Sequence, residues 1–102
     1  MEVSADQLKQ AVEGQHGGKA RLVAIERVKE VFDGRTVWDG VVHVFILNGH
    51  PRATKAYAWS SPVEGSDRRR IFAVLHRGGI RSSLDAVRAA TVAERRKPER
   101  RI

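Results

Sequence analysis

Thr36-Val37-Trp38-Asp39-Gly40-Val41-Val42-His43-Val44-Phe45-Ile46-Leu47 is the stretch that decides the fold. Side chains alternate across a strand, so Trp38, Val42, Val44 and Ile46 share one face. Val37, Val41, Phe45 and Leu47 share the other. Only Asp39 and His43 interrupt the apolar pattern. A half-exposed antiparallel strand is polar on one face; this one is apolar on both. Two short helices can cover one face of a four-stranded sheet. The second face then needs other cover: the sheet curls within one chain, or a homodimer forms through Val37, Val41, Phe45 and Leu47.

The flanking segments supply the rest of an α+β domain. Asn48-Gly49 is a turn signal, lengthened by His50-Pro51. Arg52–Ser60 alternates and reads as a strand, with Lys55, Tyr57 and Trp59 on one face. Ser61–Asp67 holds Pro62 and Gly65 and reads as a loop. Arg70–His76 predicts a further strand, stopped by Gly78-Gly79. Upstream, residues 20–32 fit either a helix face (Ile25, Val28, Phe32) or a strand. Their β-branched content and the Asp33-Gly34 turn favour the strand. At the N-terminus, Ser4 and Gln7 have capping-box spacing, and Val3 and Leu8 that of a hydrophobic staple. Leu8, Ala11 and Val12 then share a helix face up to Gly17-Gly18. Ser82 or Ser83 caps a last helix carrying Leu84, Val87, Ala90 and Ala93 towards Arg96, and Pro98 ends it. The predicted order is α-β-β-β-β-α: a four-stranded antiparallel meander flanked by two helices, one domain over residues 1–96 with a basic tail over 97–102.

The chain has 102 residues, 41% hydrophobic and 30% charged, with a formal charge of +7 and no cysteine. That composition is globular, and the length suits one domain. Without cysteine there is no disulfide, thiolate nucleophile or thiolate metal site. The acidic start Glu2–Asp6 lacks a signal-peptide layout, and no apolar run is membrane-length; a cytoplasmic protein is expected. Arg68, Arg69 and Arg70 outweigh Asp67, and Arg95, Arg96, Lys97, Arg100 and Arg101 outweigh Glu94 and Glu99. Five of the seven excess charges therefore lie in one loop edge and one tail. They serve solubility, or they form an electrostatic footprint for an acidic partner or nucleic acid.

No catalytic set is legible, and no cofactor or metal is implied. His16, His43, His50 and His76 lack metal-ligand spacing. His50 before Pro51 reads as a turn residue. His43 reads as a hydrogen-bonded interior residue. Asp39 shares its face but stands roughly 13 Å away along the strand, too far to form a dyad. Ser60 and Ser61 have no base at an arguable spacing. Lys55, Tyr57 and Trp59 would make a base-stacking platform if exposed, or core packing if covered.

Two resemblances add to this reading. Val37–Phe45, Gly49-His50-Pro51, Ala56–Trp59 and Asp85–Ala90 together resemble a group of small uncharacterised bacterial proteins. That resemblance spans about residues 28–95 and implies a bacterial, cytosolic setting and no particular function. More weakly, Gly79–Ala93 is similar to the end of a double-stranded-RNA-binding domain, matching at Ser82, Ala86, Ala89, Ala90 and Ala93. The lysine pair that grips phosphate in that family falls here on Ser83 and Leu84, so that part is missing.

The expectation is a small non-catalytic binding or protein-interaction module, homodimeric. The alternative is RNA or single-stranded nucleic-acid binding through Arg68, Arg69, Arg70, Arg95 and Arg96, with Lys55, Tyr57 and Trp59.

Overall fold

The fold is taken from a computed structural model, which describes residues 3–63 and 65–96, with side chains through Ala93. The elements are α1 (Ala5–His16), β1 (Lys19–Phe32), β2 (Arg35–Asn48), β3 (Lys55–Pro62), β4 (Arg69–Leu75) and α2 (Ser83–Arg96). The strands form one antiparallel sheet in the order β1-β2-β3-β4. This is the predicted α+β meander. No described helix is long and apolar enough to cross a membrane. The tail at 97–102 lies outside the described residues.

Local chemistry accounts for each element. The Ser4 hydroxyl accepts from the Gln7 N–H, and the Gln7 side chain accepts from the Ser4 N–H, closing the capping box. Residues 20–32 are a strand. The two-residue Asp33-Gly34 turn holds both residues at positive φ (55° and 75°), as a tight hairpin matching strand twist requires. β3 starts at Lys55 rather than Arg52. The His50 ring explains the difference, because its Nδ1 accepts from the N–H groups of both Arg52 and Ala53 and holds them in the loop. Ser82 caps α2, its hydroxyl accepting from Asp85 N–H and its carbonyl from Ala86 N–H.

The doubly apolar strand β2 finds its cover within one chain, because the two helices lie on opposite faces of the sheet. α1 sets Leu8 and Val12 against Ala20, Phe45, Leu47, Ala56, Ala58 and Leu75. α2 sets Ala86 and Val87 against Val28, Val42, Val44, Tyr57 and Trp59. The premise that both helices share one face is therefore corrected. Phe45 and Leu47, expected at a dimer interface, are 1% and 3% exposed beneath α1. Val37 is half-buried, and Val41 alone of that set is exposed.

Polar contacts fix the helices in place. Glu13 accepts from the Ala20 N–H at 2.7 Å, tying α1 to the first residues of β1. Glu26 and Glu30 of β1 both reach α2. Ser83 donates to Glu26, and the Arg88 Nε lies 2.9 Å from Glu30, whose side chain is only 10% exposed.

Gly40 is required by packing. A Cβ there would lie 2.7 Å from the Trp38 indole, which folds across it to donate to the Ser61 hydroxyl and meet Trp59 edge-on. Gly40→Ala is expected to cost about 1–3 kcal/mol by displacing that ring. Chemical denaturation followed by tryptophan fluorescence measures it. Arg88→Ala, which strands the nearly buried Glu30, is expected to cost about 1–2 kcal/mol on the same assay, since the arginine itself is half exposed.

Candidate functional site

Three surfaces collect the chemistry. The first is the face beneath α2. Trp59 stacks on Phe72 with centroids 5.3 Å apart, Trp38 meets Trp59 at 6.1 Å, and the Arg70 guanidinium stands 4.9 Å over Phe72. Tyr57 and Trp59 are each 2% exposed. They are core residues under the helix, so the base-stacking platform with Lys55 is not a surface. The Tyr57 hydroxyl and His76 Nδ1 share a 2.6 Å hydrogen bond. Burial raises the phenol's pKa, with lesser contributions from Glu26 and Asp85.

The second is a cleft on the α1 face. β3 pairs with β2 only over His43–Ile46. Beyond His43↔Ala58 the two strands part, and the first turn of α1 lies over the opening. Val3, Leu8, Val41, His43, Ser60 and Arg69 are among its lining residues, around a volume of about 270 Å3. The register explains their meeting. Ser60 stands two residues past Ala58, hence one row from His43 on the same face, and Arg69 faces Pro62 across the next strand pair. Arg69 is fixed by Ser60: its Nε donates to the hydroxyl at 2.8 Å and its Nη2 to the carbonyl at 3.1 Å.

His43 is the anomaly in this cleft. The other three histidines are engaged: His16 donates from Nε2 to the Ala73 carbonyl at 2.8 Å, His50 closes its loop, and His76 meets Tyr57. His43 was expected to be hydrogen-bonded, yet its Nδ1 is buried with no partner among the described residues. A buried unmatched polar atom costs about 1–3 kcal/mol. Desolvation lowers the His43 pKa below its ordinary 6.5. A neutral ring with a buried, unmatched Nδ1 carries its proton on Nε2, because a stranded lone pair costs less than a stranded N–H. Among the described residues, no three His, Asp or Glu side chains are placed to hold a metal ion.

The third surface is the outer edge of β1. Leu22, Val23, Ile25, Val31 and Phe32 on β1 are 37–61% exposed, and Val41 of β2 is 40% exposed beside them. The β1–β2 register is unbroken from Ala24 to Glu30, between irregularities at Leu22/Ala24 and Glu30/Val31. The opposite edge, β4, is shorter, and His16 occupies the Ala73 carbonyl there.

The basic candidates divide among these places. Arg69 belongs to the cleft and Arg70 to the aromatic row, while Arg68 sits exposed in the loop before β4. Lys55 is half-buried at the start of β3. Arg95 and Arg96 fall in the last turn of α2, where side chains are not described. No known family, curated protein or solved structure matches the chain.

His43 and Ser60 were passed over in the sequence because each lacked a partner at a local spacing. Only the β2–β3 register joins them. The exposed edge of β1 was missed because strand order, not composition, makes an edge.

A lowered histidine pKa means the unfolded chain binds the proton more readily than the fold does. Stability is then expected to fall as pH drops through 6.5 and below. His43→Leu is expected to flatten that slope between neutral and mildly acidic pH, as read by urea denaturation across that range. An unchanged slope would show that His43 does not titrate in this way.

Proposed function

We propose that the protein is a small non-catalytic interaction module that receives an extended, acidic and apolar segment of a partner protein along the free edge of β1. The single observation that carries this reading is the exposed apolar run Leu22, Val23 and Ile25 on a strand with no outer neighbour among the described residues. A long apolar edge strand is a template for an added strand.

Charge selects the occupant. Both carboxylates of β1's central run are engaged by α2, Glu26 by Ser83 and Glu30 by Arg88. Arg27 is paired with Asp39 at 3.1 Å, but its side chain is 73% exposed and keeps most of its charge. What remains free is cationic: Lys19, Arg21 and Lys29 are exposed and make no ion pair among the described residues. An acidic partner strand complements them.

The same charges disfavour a second copy at this edge. Opposed residues in an antiparallel pair share a face. A β1–β1 pairing centred on Arg27 sets Arg27 against itself, and one centred on Val28 sets Arg27 against Lys29 and Glu26 against Glu30. Centring on Glu26 or Lys29 opposes each to its own copy. Like charges directly opposite destabilise a ladder. The homodimer expected from sequence had its support in a bare second sheet face, which α1 covers.

The probe is a short alternating Glu-Val peptide, fluorescently labelled and titrated with the full chain by anisotropy. Saturable binding is expected, weakened about tenfold or more by high salt or by the double change Ile25→Glu and Lys29→Glu. Equal binding of a Lys-Val peptide would overturn the reading. So would a concentration-dependent dimer, seen by light scattering and lost on Ile25→Glu, which would put a second copy at the edge. RNA binding lost with Arg68 and Arg70 neutralised would move the function to the loop before β4.

A further inference from the structure

We propose that the cleft between the first turn of α1 and the parted ends of β2 and β3 binds a small carboxylate with a compact apolar body, held by Arg69 and His43. This site adjoins the β1 edge, sharing Val41 with it, but takes a different ligand and goes beyond the interaction reading.

The cation is already in place. Two of the five guanidinium N–H groups of Arg69 are spent on the Ser60 hydroxyl and carbonyl, which fixes the plane of the fork. The end formed by Nη1 and the outer hydrogen of Nη2 is left open, and that end matches the two oxygens of a carboxylate. Arg69 is exposed and forms no ion pair among the described residues, and Asp39, the acid on the cleft wall, is paired instead with Arg27 at 3.1 Å.

The second donor comes from the histidine. Nδ1 is the buried nitrogen of a ring that lines the cleft, so Nε2 is the nitrogen assigned to meet a ligand there. With the proton on Nε2, the ring offers a neutral donor and no second charge. One cation and one neutral donor suit a monoanion better than a phosphate dianion.

The walls set the size and character of the rest. Val3, Leu8 and Val41 give apolar surface. About 270 Å3 lies at or below the range of drug-sized pockets, so the ligand is small. The strand parting adds backbone polar groups of β2 and β3 that have no ladder partner across the split.

The experiment is an NMR titration of the full chain with benzoate, beside benzamide as the neutral isostere and inorganic phosphate as the competing anion. Saturable benzoate shifts are expected at the His43 ring and the Arg69 Nε–H, with a dissociation constant on the order of millimolar. Benzamide is expected to shift them far less. Arg69→Gln, a surface change whose folding is checked by thermal midpoint, is expected to weaken benzoate by about tenfold. Arg21→Glu, on the β1 edge opposite Ile46 and away from the cleft, is expected to leave benzoate binding unchanged, which separates this site from the partner edge. The proposal is overturned if benzoate gives no saturable shift, if benzamide binds equally, or if phosphate alone saturates the site. Unchanged affinity in Arg69→Gln would also overturn it.

Discussion

A strand that is apolar on both faces cannot lie at the surface of a monomer, and everything else in this fold follows from how β2 is covered. Val42 and Val44 lie on one side and Phe45 and Leu47 on the other, all buried. Burying each such side chain is worth about 1.5–3 kcal/mol. Leaving either face wet would forfeit an amount comparable to the whole stability of a domain this size. The chain meets the demand by sending α1 to one face and α2 to the other, which makes a three-layer domain from only two short helices.

That economy has consequences for the sheet. One helix per face covers its middle, and what the helices do not reach stays open. On the α1 side only the first turn of the helix reaches the end of the sheet where β2 and β3 part, and there the cleft forms around His43, Ser60 and Arg69. At the sheet's margin it is the outer edge of β1. α2 anchors β1 by engaging Glu26 and Glu30, and Arg88 offsets the Glu30 charge. The cationic character of the edge is thus tied to the docking of the helix.

Much of the fold was legible in the sequence because its determinants are local. Ser4 and Gln7 close their capping box three residues apart, Asp33-Gly34 sets a two-residue turn, and the period of β2 is unmistakable. The β3 boundary was misplaced because the decisive bond comes from the His50 ring to Arg52 and Ala53, a side-chain competition with no signature in alternation. The assignment of helices to faces was not legible. It depends on which way the chain turns after Gly17-Gly18 and after Gly78-Gly79, and an amphipathic helix reads the same on either face. The candidate sites fared worse than the fold for the same reason. Arg69 was visible as charge, but its meeting with His43 rests on register across three strands. Tyr57 and Trp59 were ambiguous between platform and core until α2 was seated over them.

The central claim is that one chain buries both faces of β2 and leaves the edge of β1 open. Amide hydrogen exchange, read residue by residue at two protein concentrations with the mass fixed by light scattering, tests it most directly. The account predicts strong protection of Val42–Leu47 in a monomer, unchanged by concentration, with the outward amides of Ala24–Glu30 exchanging far faster. Protection of Phe45 and Leu47 that rises with concentration would contradict it, because their cover would then come from a second molecule rather than from α1.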